Sequence, residues 1–530
     1  MSMQAPNSRT FFDLLVENAA RYPKALAAVD ARKSITYEEL AARARRVASR
    51  LRHEGIGRGD VVGLLLDNRI TWLEIFFGVT ALGATLAPFS TWSTRRELAH
   101  LIKDAGVSVV FCLSSLSGRD YLADLTVICN EQESDIDVNI IAIDGSEHSI
   151  RCDFQSWREH GTTEDDWFDV QARSTDVAVK LYTSGSSALP KCVPLLHGDA
   201  IQNGFSIGER QGLKPMDPVL VSVPLFWSYG VINALPAIVS HQGALILQSR
   251  FEPAGALTLI ERHQCVSLYT LPAMTNALLS DPSFSPTRTQ TLRTGLTIGS
   301  PEDVRRVASE LGAQEICNIY GSTETYGNCC VTPHDWPLEK RLVSQGPPLE
   351  DVRLRIRNPD DGELCAAGAI GEIEVSGYLT PGYIGESATH NRSVFTDDGW
   401  FRTGDLGALN EDGTLIYSGR ISEMIKRSGI NVSPAEVEDA LQQHASVALA
   451  GVTGAPDKTR GERIVAFVIA KPDKTIDPRA LREHCRTLLS SYKLPDSIIE
   501  RTELPLTATG KLMRKALKTL AAEAAVQPTD

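Results

Sequence analysis

A hydroxyl-rich stretch at residues 182–191 is the first part of the chain whose side chains suggest chemistry. It follows a short apolar segment at residues 177–182, and a lysine, Lys191, ends it. Four hydroxyls and one glycine occupy five successive positions, namely Thr183, Ser184, Gly185, Ser186 and Ser187. Backbone N–H groups in such a turn can form a concavity for an anion, to which hydroxyls add donors. Taken alone, the stretch fits a phosphate-binding loop and a solvated serine-rich turn about equally.

Further segments combine glycine with acidic, hydroxyl or basic residues in a definite order. They are NIYGSTET at 318–325, GEIEVSG at 371–377 followed by Gly382 and Tyr383, WFRTGD at 400–405, GRISEMIK at 419–426 with SGINVSPAEVE after it, and PLTATGK at 505–511. Each segment alone is a weak signal. Together with YTSGSSALPK they resemble, in order, the motifs of the acyl-adenylate-forming family, which includes acyl-CoA synthetases, adenylation domains of peptide synthetases and beetle luciferases.

The resemblance covers nearly the whole chain and implies a reaction in two steps. A carboxylic acid first reacts with ATP and Mg²⁺ to give an acyl-adenylate, and the thiol of coenzyme A then displaces AMP. We interpret the chain as an acyl-CoA ligase. One alternative is a ligase specialised for the thioester-forming half, and another is an adenylation domain that loads a carrier protein. A luciferase-like oxidase and an inactive nucleotide-binding protein are weaker alternatives.

The resemblance also implies roles for individual residues. Glu324 would bind Mg²⁺, which proteins hold through one or two carboxylates plus phosphate oxygens. Lys511 would bridge the carboxylate of the acid and the α-phosphate, and Thr183 and Lys191 complete the catalytic set. Asp405 would accept hydrogen bonds from the ribose hydroxyls. The residues expected to contact the nucleotide are Ser184, Gly185, Ser186, Ser187, Gly299, Ser300, Pro301, Asn318, Tyr320, Gly321, Ser322, Thr323, Asp405 and Arg420.

The acyl group and coenzyme A are expected to occupy separate sets of residues. By resemblance the acyl pocket uses Trp227, Ser228, Tyr229, Gly230, Ile298, Tyr326 and Gly327. None of these side chains is charged, so we expect an apolar, ring-containing acid. The entry of the pantetheine arm would be lined by Ser428, Gly429 and Ile430.

Four residues depart from the family pattern. Ala188 and Cys192 replace glycines of the phosphate loop, and a Cβ at a left-handed position costs roughly 1–2 kcal/mol. Handling of pyrophosphate is therefore expected to be impaired, or the loop to be shaped differently. Ser422 stands at the hinge, where Asp or Lys is usual, which predicts an altered balance between domain poses. Trp227 replaces a histidine of many relatives and would narrow or reshape the acyl pocket.

These residues must be positioned by an α/β fold. Apolar periodicity predicts helices at 10–20 and 36–53, strands at 61–66 and 107–112, and a buried helix followed by a strand at 75–88. We expect a large N-terminal domain, 1–419, of mixed α/β sheets with a β-barrel-like subdomain near 345–418. A small mobile α+β domain, 420–530, would follow. Residues 130–175 are polar and are expected to be irregular surface.

Composition limits the partners and the location. The net charge of −13 disfavours nucleic acid and anionic membrane surfaces. The ten cysteines form no CxxC pair, which favours reduced thiols and a cytoplasmic location. No apolar stretch is long enough to span a bilayer, and the first residues do not resemble a secretory leader. A homodimer is left open, and the identity of the acid is not encoded in any motif.

Overall fold

A computed structural model describes residues 9–130, 138–144, 154–162, 172–183, 190–427, 430–457, 459–506 and 512–526. The first part of the chain alternates helices and strands. Its elements are α1 Phe11–Arg21, β1 Leu26–Val29, β2 Ser34–Thr36, α2 Tyr37–His53, β3 Val61–Leu65, α3 Ile70–Ala81, β4 Thr85–Pro88, α4 Arg95–Ala105, β5 Val107–Cys112, β6 Ser115–Leu116, β7 Arg119–Asp120, α5 Tyr121–Asn130, β8 Asn139–Ala142 and α6 Phe154–Glu159. The predicted helices and strands at 10–20, 36–53, 61–66, 75–88 and 107–112 are confirmed.

The middle of the chain continues this alternation. Its elements are β9 Val177–Thr183, β10 Lys191–Leu196, α7 His197–Gln211, β11 Pro218–Val221, a π-helix Tyr229–Ala234, α8 Leu235–Ser240, β12 Ala244–Leu247, α9 Pro253–His263, β13 Ser267–Tyr269, α10 Pro272–Ser280, β14 Thr294–Thr297, α11 Pro301–Ser309, β15 Glu315–Tyr320, a 3-10 helix Thr323–Thr325, β16 Cys330–Val331 and α12 Leu338–Leu342.

Two mixed sheets form the body of the large N-terminal part. The six-stranded sheet has the order β10-β9-β4-β3-β5-β8, and the eight-stranded sheet has the order β16-β15-β14-β13-β11-β12-β1-β2. Strands β11 to β15 pair in parallel, so their carboxyl ends lie at one edge of the sheet. In open parallel sheets, ligands bind outside these carboxyl ends.

Two described parts of the segment 130–175, residues 138–144 and 154–162, contain regular elements that pack on the body of the protein, so the expectation of irregular surface was wrong for these residues. β8 pairs in parallel with β5 and extends the six-stranded sheet. Phe154 and Trp157 of α6 are buried and contact the ring of Phe111. The indole N–H of Trp157 donates to Glu54 at 2.6 Å. A few apolar residues among many polar ones are enough to complete the core here.

The predicted β-rich segment forms an antiparallel sheet. Its elements are β17 Arg353–Arg357, β18 Gly371–Ser376, a 3-10 helix Gly385–His390, α13 Asn391–Val394, β19 Phe401–Leu409 and β20 Leu415–Arg420. The strand order is β17-β18-β19-β20. In the described residues the sheet stays open between β17 and β20, so the subdomain is not a closed barrel.

The C-terminal part has a sheet and cores of its own. Its elements are a 3-10 helix Ile421–Glu423, β21 Ile425–Arg427, β22 Ile430–Val432, α14 Pro434–Gln442, β23 Val447–Asp457, β24 Gly461–Ala470, α15 Pro478–Leu488, a 3-10 helix Ser491–Lys493, β25 Ser497–Glu500 and α16 Arg514–Val526. The sheet runs β22-β21-β24-β23, with β25 beside β24. Its two apolar clusters contain no described residue before Ile425. The division into domains 1–419 and 420–530 stays a prediction. The separate apolar clusters of the C-terminal part agree with it.

Candidate active site

The loop after β14 brings Gly299 and Ser300 to the carboxyl edge of the large sheet. Ser300 caps α11: its hydroxyl accepts from the N–H of Asp303 at 3.3 Å, and Asp303 Oδ2 accepts from the N–H of Ser300 at 2.9 Å. Gly299 has a φ of +136°, and a Cβ there would lie 2.6 Å from Asp303 Oδ2. Gly299 and Ser300 therefore present backbone at the edge, and Pro301 begins the helix.

The loop after the neighbouring strand, β15, contains the turn from Gly321 to Glu324. A Cβ on Gly321 would lie 2.5 Å from the carbonyl oxygen of Gly327, so the turn folds back on itself tightly. Asn318 is 1% exposed, and its amide nitrogen donates to the carbonyls of Arg341 and Ser344 at 3.2 and 3.1 Å. Asn318 therefore supports the backbone below the turn, whereas Ser322 and Thr323 are partly exposed.

Asp405 lies on β19 and is bound by two other predicted nucleotide residues. The Tyr320 hydroxyl donates to Asp405 Oδ2 at 2.9 Å, and Arg420 Nε donates to Oδ1 at 3.1 Å. Asp405 and Arg420 are register partners across β19 and β20. Burial raises the pKa of Asp405, while the charge of Arg420 and the bonds from Tyr320 and Arg420 oppose the shift. The structure thus brings together three residues that were each predicted to contact the nucleotide, and the contacts themselves stay a prediction.

Asp405 reaches this position through a bulge in strand β19. The pairing of β18 with β19 shifts register between Glu372, opposite Leu406, and Glu374, opposite Arg402. Gly404 within this bulge has a φ of +71°. Bulges re-aim side chains next to functional sites. The Thr403 hydroxyl accepts from the N–H of Asp405 at 3.1 Å and fixes the bulge.

Glu324 faces a tyrosine that is not among the predicted site residues. The Tyr383 hydroxyl donates to Glu324 Oε1 at 2.8 Å, and Lys191 Nζ lies 4.9 Å from the centre of the Tyr383 ring. Glu324, Tyr383 and Lys191 therefore form one cluster. Among the described residues, no group of three or more His, Cys, Asp or Glu is suited to hold a metal. A lone carboxylate suits Mg²⁺ that arrives with nucleotide phosphates, because such an ion takes its other ligands from phosphates and water.

The predicted acyl-pocket residues lie on the π-helix segment, the end of β14 and the turn after Glu324. The Tyr229 hydroxyl donates to the Leu296 carbonyl at 2.9 Å, and the Thr323 hydroxyl donates to Ser228 Oγ at 3.2 Å. These bonds join the start of the π-helix to strand β14 and to the loop that follows β15. Ile298 packs against the main core, and a Cβ on Gly230 would lie 2.2 Å from the carbonyl oxygen of Pro224.

Tyr326 does not present its hydroxyl to the other pocket residues. That oxygen accepts from the N–H of Leu196 at 2.9 Å and donates to Asp199 Oδ2 at 3.3 Å, and the side chain is fully buried. Trp227, by contrast, is partly exposed. Its ring contacts those of Trp92 and Phe226 at centroid distances of 5.2 and 6.0 Å. Trp92 is 49% exposed.

Several predicted residues lie outside the described part of the chain: Lys511, Ser184, Gly185, Ser186, Ser187, Ala188, Ser428 and Gly429. Their neighbours are described. Thr183 ends β9 opposite Lys191, and Ile430 begins β22. Ser422 is exposed in the 3-10 helix Ile421–Glu423.

Cys192 is buried beside Tyr182, where burial raises the pKa of its thiol to about 11. Its backbone pairs with Ile384, so this substitution is accommodated within a strand.

Three aromatic residues that contact predicted site residues, Tyr383, Tyr417 and Trp92, were not themselves predicted from the sequence. The Tyr417 ring lies 5.6 Å from that of Tyr320, and Tyr417 is 37% exposed. The sequence did offer a signal that Tyr383 belongs near the site, because it follows Gly382 in one of the motifs. Its partner Glu324 is 59 positions away, and only the fold brings the two together.

Comparison with known families gives two matches along the chain. The model of the AMP-binding enzyme family matches residues 15–384, and that of the AMP-binding enzyme C-terminal domain matches residues 436–511. The first match alone covers more than half of the chain.

Relatives with this architecture match over nearly their full lengths. A 2-succinylbenzoate–CoA ligase of Geobacillus kaustophilus is 31% identical over 96% of this chain and 97% of its own. The putative acyl-CoA synthetase YngI of Bacillus subtilis is 29% identical over 95% and 96%. The crystal structure of the anthranilate CoA ligase AuaEII in complex with anthranoyl-AMP superposes with a TM-score of 0.88 at 26% identity, over 99% and 100%. As the motifs indicated, the chain belongs to the AMP-binding enzyme family, in its acyl-CoA synthetase and CoA ligase branch.

Proposed function

We propose that this protein joins a carboxylic acid to coenzyme A through an acyl-adenylate, and that the acyl group beyond the carboxylate is uncharged and largely apolar. The observation that carries the proposal is the group formed by Asp405, Tyr320 and Arg420 beside the loop that holds Glu324. A buried carboxylate that accepts bonds from a tyrosine and an arginine is suited to receive the two adjacent hydroxyls of a ribose.

The first step forms the mixed anhydride. An oxygen of the carboxylate attacks the α-phosphorus of ATP, and the bond to the β-phosphate breaks to release pyrophosphate. Two anions must meet, so the site requires fixed cations and donors where charge develops. Lys191 and the hydroxyl-rich loop would bind the leaving phosphates, and Lys511 would neutralise the carboxylate and the α-phosphate. Mg²⁺ held by Glu324 would offset the phosphate charge.

The second step transfers the acyl group to sulfur. The thiol of coenzyme A attacks the acyl carbon, AMP leaves, and the thiol proton passes to solvent. Residues 428–430 would line the route of the pantetheine arm. The relatives include a 2-succinylbenzoate–CoA ligase and a putative acyl-CoA synthetase, which supports coenzyme A over a carrier protein as the acceptor.

The apolar character of the acid is inferred from the aromatic residues beside the π-helix. Trp227, Trp92 and Phe226 form a contiguous cluster, and rings of this kind pack well against an aromatic or alicyclic acyl group. No predicted pocket residue is charged.

A homodimer remains a prediction, as does a cytoplasmic location. The nine cysteines in the described ranges are all free, which agrees with a reducing compartment. No helix in those ranges has the length and apolar character needed to cross a bilayer.

The proposal is tested by a screen of carboxylic acids with MgATP, in the presence and absence of coenzyme A. Mass spectrometry should detect the AMP ester without coenzyme A and the CoA thioester with it. Acylation of a carrier protein but not of coenzyme A would contradict the proposal.

Release of pyrophosphate without coenzyme A separates the full ligase from the thioester-only alternative. Brisk release with a substrate acid would show that Ala188 and Cys192 do not impair the first step. If the protein converts a synthetic acyl-adenylate to the CoA thioester but releases no pyrophosphate from acid and ATP, it is the specialised ligase that is supported.

A further inference from the structure

Asp104, near the end of α4, lies beside the two strands that lead into and out of the hydroxyl-rich loop. Its side chain is partly buried. Its Oδ2 accepts a hydrogen bond from the Tyr182 hydroxyl at 2.8 Å. Tyr182 comes directly before Thr183, which ends β9, and it pairs in register with Cys192 on β10. Asp104 therefore holds the base of the loop from outside the predicted site.

The other carboxylate oxygen of Asp104 holds a second segment. Oδ1 accepts from the backbone N–H of Glu386 at 3.2 Å, within the 3-10 helix Gly385–His390. Gly385 has a φ of +64°, and a Cβ on it would collide with this same oxygen, so the close approach requires glycine. Glu386 is 282 positions from Asp104 along the chain. One carboxylate thus joins the base of the loop to a distant part of the sequence.

The segment at 383–387 connects this contact to the proposed Mg²⁺ ligand. It begins with Tyr383, whose hydroxyl donates to Glu324 at 2.8 Å. Its backbone also forms a β-bridge with Cys192, at the base of the loop. Asp104 is therefore part of a framework of hydrogen bonds that extends from the base of the loop to Glu324.

The partners of Asp104 distinguish it from an ordinary surface carboxylate. Among the described residues it forms no salt bridge, and its two oxygens accept from neutral donors, a hydroxyl and a backbone N–H. Hydrogen bonds to an ionised acceptor are shorter and stronger than those between neutral groups. Exposed ion pairs, by contrast, contribute little and leave long side chains free to move. The contacts of Asp104 are suited to fixing two backbone segments relative to each other.

We propose that Asp104 is a positioning residue for the triphosphate of ATP. Through Tyr182 and Glu386 it fixes the loop that receives the β- and γ-phosphates relative to Glu324. The inference rests on the proposed function and adds to it a residue outside the predicted contact set. Donors that are oriented in advance need no reorganisation when the phosphate charge arrives, and a misplacement of about 1 Å can cost about 100-fold in rate. AMP carries one of the three phosphates, so its binding should depend far less on this framework.

The experiment measures the dissociation constants of MgATP and of AMP by isothermal titration calorimetry, in the absence of any acid. Asp104→Ala removes both hydrogen bonds and should weaken MgATP binding at least about 10-fold, but AMP binding by no more than about twofold. Asp104→Asn keeps groups that can bond to the Glu386 N–H and the Tyr182 hydroxyl, so MgATP affinity should stay within about threefold of the wild type. Tyr182→Phe removes one of the two bonds and should give an intermediate MgATP affinity.

Asp30 provides a matched control, because it is also partly buried and also joins two segments through neutral donors. Its Oδ1 accepts from the N–H groups of Arg32 and Lys33 at 2.8 and 2.9 Å, and its Oδ2 accepts from that of Ile70 at 2.9 Å. Asp30→Ala should lower the unfolding temperature and leave the ratio of the MgATP and AMP dissociation constants unchanged. A shift of that ratio as large as in Asp104→Ala would overturn the inference.

The remaining outcomes separate this inference from the proposed function. Equal loss of MgATP and AMP affinity in Asp104→Ala, an unchanged MgATP affinity, or an equal defect in Asp104→Asn would overturn the inference alone. If Asp104→Ala does not fold, Tyr182→Phe decides the question, and a wild-type MgATP affinity in that variant would overturn the inference. A wild-type protein that binds neither MgATP nor AMP would overturn the proposed function and the inference with it.

Discussion

Asp405 illustrates how burial and two hydrogen-bond donors shape the carboxylate that we propose to bind the ribose. Its carboxylate is 5% exposed, which by itself disfavours the charged form, and Arg420 and Tyr320 supply the compensating interactions. Arg420 is itself more than half exposed in its side chain, so the pair faces solvent on one side. A ribose that replaces this solvent would find the acceptor already oriented.

We predict that Asp405→Asn weakens AMP binding about 10- to 100-fold, since hydrogen bonds to charged groups contribute about 1.5–3 kcal/mol. Isothermal titration calorimetry measures the effect. Glu372 on β18 is a matched control, because it is a buried carboxylate paired with Arg402 at 2.7 Å. Glu372→Gln should leave AMP affinity unchanged. Equal AMP affinities for the wild type and Asp405→Asn would show that Asp405 does not bind the nucleotide.

At the scale of elements, β19 shows how a strand positions the side chain of Asp405, the proposed ribose ligand. The bulge at Thr403 and Gly404 interrupts pairing with β18, and Gly404 takes the left-handed conformation that this geometry needs. A Cβ on Gly404 would meet no atom within 4 Å, so a substitution there tests the backbone alone.

Gly404→Ala is expected to destabilise the fold by about 1 kcal/mol through backbone strain and to weaken AMP binding, because relaxation of the bulge moves Asp405. Gly413, in the turn between β19 and β20, has a φ of +76°, and a Cβ there would likewise meet no atom within 4 Å. Gly413→Ala should cost similar stability in urea unfolding with normal AMP binding. Loss of AMP affinity in both variants would contradict a specific role for the bulge.

His197 at the start of α7 gives the fold a defined sensitivity to acid. Its ring is fully buried, its Nδ1 accepts from the N–H of Phe11 at 3.2 Å, and its Nε2 has no partner among the described residues. Burial lowers the pKa of His197 to about 4, and Asp176 only partly opposes the shift. Between pH 6.5 and 4 the unfolded chain binds a proton at this position and the folded chain does not.

Stability should therefore fall as pH decreases through this window, by up to about 3 kcal/mol from this one group. His197→Gln should reduce the difference in urea unfolding free energy between pH 7 and pH 4.5. His53, exposed at the end of α2, provides the control His53→Gln, which should retain the wild-type pH dependence. An unaltered pH dependence in His197→Gln would show that the buried imidazole is not responsible.

Elements with strong local patterns could be predicted, and contacts between distant segments could not. α2 has apolar residues on one face and a capping box of Thr36 and Glu39, all readable from the sequence. β8 is only four residues long, and its place beside β5 depends on the rest of the sheet. The hydrogen bond between Tyr383 and Glu324 and the bulge at Gly404 are likewise set by tertiary packing, which the periodicity of a single sequence does not reveal.

At the scale of the whole molecule, the small C-terminal part contacts the large one next to the proposed nucleotide site. The Ser433 hydroxyl at the start of α14 donates to the carbonyl of Ser418 on β20 at 2.6 Å. Arg514, at the start of α16, pairs with Glu438 and with Glu423, the latter at 3.2 Å. These bonds fix α16 relative to α14 and to the segment that follows β20, and Lys511 lies only three positions before Arg514.

Lys511→Ala should abolish most adenylation and spare thioester formation from a synthetic acyl-adenylate. The loss should be at least about 100-fold in pyrophosphate release, because one preorganised cationic donor contributes on the order of 3 kcal/mol to such a transition state. Lys515→Ala, four residues later on α16, serves as a control of equal charge and should behave like the wild type. Equal loss in both half-reactions would contradict a role confined to the first step.

The central claim is that residues far apart in sequence form one AMP-binding cleft. Its most direct test is a crystal structure of the protein with AMP. The account predicts that the ribose hydroxyls donate to Asp405 and that the phosphate lies near Thr323 and residues 184–187. AMP bound at another surface, with Asp405 still paired only to Tyr320 and Arg420, would contradict it.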